Sequence, residues 1–177
     1  MLSKVLSHVQ LFKKRDYVYV AVAASIIAGG IALANTQSKS PLQNSMAAYV
    51  VSVDAKGKET LQAATEVEPG QTVEYKLTYQ NVSDKALKGL VVTGPVPAAT
   101  HYIAKSARAQ AKANLEVSID GGKTFEKEPV KRIVTNEAGK KVETIISPEK
   151  YTHLRWVMQE PLAANTTKQF AYRSLVK

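Results

Sequence analysis

Val73-Glu74-Tyr75-Lys76-Leu77-Thr78-Tyr79-Gln80-Asn81 is the stretch that decides the fold. Val73, Tyr75, Leu77 and Tyr79 fall on one side, and Glu74, Lys76, Thr78 and Gln80 on the other. Successive side chains of a strand point to opposite faces, so the alternation describes one half-buried β-strand. Glu68-Pro69-Gly70-Gln71 before it and Asn81-Val82-Ser83-Asp84 after it supply turn residues.

The same grammar continues in both directions. Upstream, Met46 to Val53 is β-rich, Asp54 to Glu59 reads as a turn, and a weaker strand is expected around Thr60 to Thr65. Downstream, Leu90-Val91-Val92-Thr93-Gly94 is stopped by Pro95-Val96-Pro97, because proline cannot donate to a ladder. Thr100 to Ala104 is a short strand candidate. Lys105 to Ala113 has helix propensity but no large apolar residues for a buried face, and is read as a loop with one helical turn at most. Leu115 to Ile119 and Lys123 to Phe125 flank Asp120-Gly121-Gly122 as a tight hairpin. Lys131 to Val134 and Lys141 to Ile146, around Asn136-Glu137-Ala138-Gly139, form a second. In the closing strands Leu154, Trp156 and Met158 face inward, as do Phe170 and Tyr172. Many short strands with almost no amphipathic helix predict an all-β, immunoglobulin-like antiparallel β-sandwich.

A different grammar governs the start of the chain. Met1 to Asp16 is basic, and Tyr17 to Ala34 carries no charge and ends in Ala32-Leu33-Ala34. A positive segment, an apolar segment and a small-x-small ending make an export helix of the secretory type, cut before Asn35. Its 18 apolar residues exceed the ~7–15 usual for a cleaved signal and approach the ~20 that span a bilayer. An uncleaved anchor with its basic end inside is therefore the alternative. Both readings put residue 35 onward outside the inner membrane, in the periplasm or at the cell surface. The expected organisation is a signal peptide or anchor over 1–34, a flexible polar lead-in over 35–45 and one sandwich domain over 46–177.

The net charge of +9 belongs partly to this leader, where Lys4, Lys13, Lys14 and Arg15 face only Asp16. What remains is spread out. Lys140-Lys141 and Lys131-Arg132 are the densest later pairs, and neither has the interleaved aromatics that stack bases, so nucleic acid is not an expected partner. Cysteine is absent, which removes thiol catalysis, thiolate metal ligation and disulfide support.

Candidate chemistry is sparse. Ser118-Ile119-Asp120-Gly121-Gly122-Lys123-Thr124-Phe125 resembles the Asp-box hairpin of sialidases, in which the aspartate holds turn amides and the aromatic packs beneath. One copy, without repeated blades, is read as a local structural device. His101 and His153 follow the leader without the convergent ligands that a metal requires. No nucleophile elbow is present. Glu66/Glu68 and Glu126/Glu128 are spaced to share one face, rather than to oppose each other across a cleft as in glycoside hydrolysis. Tyr75, Tyr79, Trp156 and Phe170 are core candidates by phase. Tyr49, Tyr102, Tyr151 and Tyr172 are open, and an exposed cluster among them would make a sugar platform. No catalytic, cofactor-binding or metal residue is assigned, and no enzyme activity is expected.

Val67 to Tyr75, Tyr79 to Ser83, Leu90 to Thr93 and Pro95-Val96-Pro97 together resemble the bacterial and archaeal conserved-repeat family called domain of unknown function eleven. The likeness spans about two-thirds of the chain after the leader. It implies an immunoglobulin-like sandwich of the kind found in exported or surface proteins, with no catalytic residues to carry over. Gly94 stands where that family often has aspartate, and a single copy of the unit is present. The expectation is an exported structural or assembly component that works by protein contact in the cell envelope, including contact with its own copies. The alternative is a carbohydrate- or envelope-binding module. Contact with a membrane is expected only through residues 17–34, if they are retained. Strand addition by the segment from Gln37 to Val53 onto a neighbouring copy competes with its use as the domain's own first strand.

Overall fold

The computed structural model describes residues 40–177. The expected export helix and residues 35–39 of the lead-in therefore lie outside the described residues. Twelve strands follow in the order β1 (Leu42–Val53), β2 (Glu59–Ala63), β3 (Thr72–Asn81), β4 (Val91–Pro95), β5 (Thr100–Tyr102), β6 (Arg108–Ala109), β7 (Ala113–Ser118), β8 (Glu126–Lys127), β9 (Lys131–Thr135), β10 (Lys141–Ile145), β11 (His153–Met158) and β12 (Thr167–Val176). One 3-10 turn, Pro148–Lys150, interrupts them. All pairings are antiparallel. One sheet runs β2-β1-β3-β12-β5, with β6 also on the β12 edge; a second runs β4-β11-β7-β8; β9 and β10 form a separate two-stranded ribbon. The protein is an immunoglobulin-like β-sandwich.

The strand quoted first is β3, at the middle of the larger sheet. Val73, Tyr75 and Leu77 are buried on its inner face, and Phe170 and Tyr172 of β12 stand directly opposite Leu77 and Tyr75. From the smaller sheet, Trp156 reaches Phe170 at 5.6 Å and Tyr172 at 6.2 Å between ring centres. Tyr75 stacks on Tyr172 at 5.1 Å, and Tyr79 meets Phe170 edge-on at 6.1 Å. This chain of rings joins the sheets through the core, where each fully buried large side chain stabilises the fold by roughly 1.5–3 kcal/mol. Leu154, Val92 and Val117 complete the facing layer.

Asn81, which ends β3, is fully buried. Its Nδ2 donates to the carbonyls of Lys85, Leu162 and Ala163 at 2.7–3.0 Å, and its Oδ1 accepts from the N–H and Oγ of Ser83. One side chain thus fastens both connections at that end of the sandwich.

Several local expectations change. The first strand starts at Leu42 rather than Met46, because Leu42 to Ser45 pair with Asn81 to Thr78 and Leu42 packs against the core. From Leu42 to Val51 β1 is bound to β3 of its own chain, and from Tyr49 to Val53 to β2 on its other side. The helical turn allowed for Lys105 to Ala113 is absent. Lys105 has φ of +60°, outside right-handed helix, and Arg108–Ala109 pair with the β12 edge. The tight hairpin at Asp120 is instead a longer loop. Its carboxylate takes the N–H groups of Lys123 and Thr124, so those residues do not pair with β7 and the return strand begins at Glu126.

Candidate functional site

The outer face of the larger sheet carries a buried charge that β-alternation assigns to solvent. Glu74 lies on the polar side of β3 yet is only 1 % exposed. Arg173 stands directly across from it on β12 and donates from Nε at 2.9 Å. Arg108, on β6, donates to the same carboxylate oxygen. Lys76 adds a longer contact at 3.8 Å and places its ammonium 4.9 Å from the Tyr49 ring centre. Arg173 then uses Nη1 and Nη2 to grip both oxygens of Glu59 on β2, at 2.8 and 2.6 Å. These bonds hold the Glu59 carboxyl below its usual range. Burial pushes against the Arg173 guanidinium, and its two carboxylate partners more than offset that.

Arg173 is placed by its backbone. Between β5 and β6 the chain leaves the β12 edge, and the Ser106 hydroxyl fills the gap by accepting from the N–H of Arg173 at 2.9 Å and donating to its carbonyl at 3.3 Å. The resulting open groove has a volume of about 540 Å³, with Glu59 and Leu61 of β2 on one side, Arg108 and Gln110 on the other and Glu74 and Ala171 at its base. Every charge at its base is already paired. Chemically it is an ionic clasp tying the edge strands β2 and β6 to the centre of the sheet.

The second feature is the β9-β10 ribbon, whose strands pair with neither sheet. Its base is anchored. Val130 is buried, its carbonyl accepts from Ile146 at 2.9 Å, and its N–H lies 3.4 Å from the Tyr151 hydroxyl. Asn136 closes the far end by accepting from the N–H groups of Ala138 and Lys140. Between these ends Ile133 is 73 % exposed and Ile145 59 %, and Val134 and Val142 are exposed as well. Lys131 pairs with Glu143 at 2.8 Å across the ribbon, and Arg132 reaches back to Glu126 of β8 at 2.5 and 2.9 Å. Both basic pairs noted in the sequence, Lys131-Arg132 and Lys140-Lys141, therefore lie on this ribbon.

The other candidates separate. His101 belongs to β5 of the larger sheet, its Nδ1 3.3 Å from the Glu149 carbonyl. His153 begins β11 of the smaller sheet, against Thr152 and Gly122. Burial lowers the His153 pKa, opposed by the charge of Asp120. Among the described residues no group of three or more His, Asp or Glu could hold a metal ion. Glu126 is held by Arg132, which lowers its pKa, while Glu128 is pushed up by burial, so the two do not act as a pair. Glu66 is exposed and Glu68 half-buried. Tyr102, Tyr151 and Tyr172 are buried, and Tyr49 is half-buried, so these four form no exposed platform. Among the described residues no helix is long and apolar enough to cross a membrane.

Asp120 does organise its loop. Its carboxylate accepts from the Ser118 hydroxyl at 2.7 Å, the Thr124 hydroxyl at 2.5 Å and the amides of Lys123 and Thr124. Phe125 stands under Arg155, whose guanidinium carbon is 4.0 Å from the ring centre and whose nitrogens hold Glu116. The buried Glu74 clasp is the element that sequence reasoning missed. Its partners lie 34 and 99 positions away, so no local pattern carries it. No family model, curated protein or solved structure matches the chain.

Proposed function

We propose that this chain is an exported, non-enzymatic β-sandwich that acts by protein contact as a structural or assembly component of the cell envelope, with the β9-β10 ribbon as its contact surface. The carrying observation is the ribbon's composition in place. Four of the nine exposed large hydrophobic residues among those described are Ile133, Val134, Val142 and Ile145, all on these ten strand residues. Exposed apolar side chains gathered on one projecting element mark a surface made to be covered, whereas scattered ones do not. The leader pattern of residues 1–34 supports export, and the resemblance to the conserved-repeat surface family agrees with a contact role. The carbohydrate-module alternative loses its motivation, since the aromatic residues that would build a platform lie in the core or beside Lys76.

A photoreactive residue at Ile145, introduced into the chain in its native cells, tests this reading. Adducts with envelope proteins are expected in the membrane or periplasmic fraction. Recovery of the chain in the cytosol, or adducts no more frequent than from the exposed Lys56 of the β1-β2 turn, would overturn it.

A further inference from the structure

The ribbon has a free edge whose hydrogen-bonding phase is fixed by its own turn. Ile146 N–H bonds the Val130 carbonyl, and Asn136 N–H bonds the Lys140 carbonyl. With the register Val134 to Val142 and Arg132 to Thr144, alternation makes residues 130, 132, 134 and 136 the ones that face β10. The N–H and C=O groups of Lys131, Ile133 and Thr135 therefore point away from it. Among the described residues no strand pairs with them. The Lys131 carbonyl accepts from Arg132 Nη1 at 2.8 Å and keeps a second lone pair.

We propose that β9 pairs antiparallel with β9 of a second copy of this chain, about a two-fold axis through Ile133. This rests on the contact role proposed above and supplies its partner. In that register Ile133 faces Ile133 of the second copy, Lys131 faces Thr135, and Arg132 faces Val134. No like charges oppose, and the three outward residues of each strand exchange both their backbone bonds. The outer edge of β10 differs at its centre. The equivalent two-fold there sets Glu143 against Glu143, and like charges directly opposite are destabilising. At the central pair, charge therefore favours β9 over β10.

The two faces agree with this choice. Lys131, Ile133, Glu143 and Ile145 share one face of the ribbon, with Ile145 diagonal to Ile133 and the Lys131–Glu143 ion pair between them. Pairing brings the two copies of Ile133 together at the centre of that face. It also turns two two-stranded ribbons, each marginal by itself, into one four-stranded sheet with an apolar patch, which is what a small sheet needs for independent stability.

Two Cα atoms of a hydrogen-bonded antiparallel pair sit ~5.5 Å apart, within disulfide reach, and the chain has no cysteine of its own. Full-length chains isolated from the envelope and bearing Ile133→Cys should form a disulfide dimer under mild oxidation, and Glu143→Cys chains should not. Light scattering should show dimers of the unaltered protein whose fraction rises with concentration. Ile133→Lys sets two ammonium groups in opposition at an exposed position, so it should weaken dimerisation by about tenfold or more while leaving the melting temperature of the monomer unchanged. Equal crosslinking at both positions, or a monomer at every concentration, would overturn the proposal. If self-pairing fails while Ile145 still crosslinks to envelope proteins, the contact role stands and only its partner is wrong.

Discussion

Arg173 and Glu74 face each other across β12 and β3, and the 2.9 Å bond between them lies on the face of the sheet that alternation assigns to water. Glu74 is covered because Arg108 and Lys76 close over it, and because Arg173 draws Glu59 of β2 inward. Removing the carboxylate charge leaves two guanidinium groups beside each other. We expect Glu74→Gln to cost about 2–3 kcal/mol, below the ~3–5 of a fully buried pair, because Arg108 is more than half exposed and water screens its share. Arg108→Ala should cost under about 1 kcal/mol for the same reason. Urea unfolding of both variants checks the order. Equal losses would mean that the β6 contact matters as much as the contact within the sheet.

Gly94 sits where the core leaves no room for a side chain. It lies on β4 opposite Leu154, buried and facing the core. A Cβ added there would stand 2.9 Å from Cε1 of Tyr172 and 3.5 Å from the Leu77 methyls. Tyr172 cannot easily yield, since its ring stacks on Tyr75 and its hydroxyl donates to the Pro95 carbonyl. Gly94→Ala should therefore destabilise by about 1–3 kcal/mol, the usual cost of overpacking. Thermal unfolding monitored by Trp156 fluorescence reads the loss, and a melting temperature equal to that of the unaltered protein would refute the close packing.

Tyr75 and Tyr172 form a stacked pair whose hydroxyls have opposite fates. The Tyr172 hydroxyl is bonded, whereas that of Tyr75 is buried with no partner among the described residues. Burial pushes the Tyr75 phenol up to about 12. An unpaired buried hydroxyl costs about 1–3 kcal/mol, and a made hydrogen bond contributes about 1 kcal/mol. Tyr75→Phe should accordingly stabilise the protein, and Tyr172→Phe should destabilise it by about 1 kcal/mol. The sign difference in denaturation midpoint is the readout, and two losses of equal size would contradict it.

The inner layer was readable because its period is two. Tyr75, Leu77, Leu154, Trp156, Met158, Phe170 and Tyr172 follow the strand alternation and face the core. Where the structure departs, a side chain competes with the backbone or a distant segment intervenes. Asp120 captures amides that a tight hairpin would have used. Glu74 is covered by residues remote in sequence. The separateness of the β9-β10 ribbon did leave a trace. Ile133 and Val134 are adjacent, so they point to opposite faces, and a two-stranded ribbon on the surface cannot bury both. The strand positions were visible, but the exposure of both faces needed the three-dimensional arrangement.

Asp120 should control the acid limb of stability. Hydrogen bonds from Thr124, Ser118 and Lys123 favour the ionised carboxylate and hold its pKa well below the ordinary 3.8. A carboxyl depressed in the folded state contributes stability that is full above its unfolded value and is lost as pH falls through the folded one. The unaltered protein should thus lose part of its stability below about pH 4, where the unfolded chain takes up the proton first. Asp120→Asn removes this titration while keeping one acceptor oxygen. It should lower the melting temperature at pH 7 and flatten its decline between pH 5 and pH 2. Asp120→Ala should lower it further, because the amides of Lys123 and Thr124 lose their acceptor altogether. Melting curves across this range decide the matter, and parallel pH profiles for Asp120→Asn and the unaltered protein would show that the loop draws nothing from the charge.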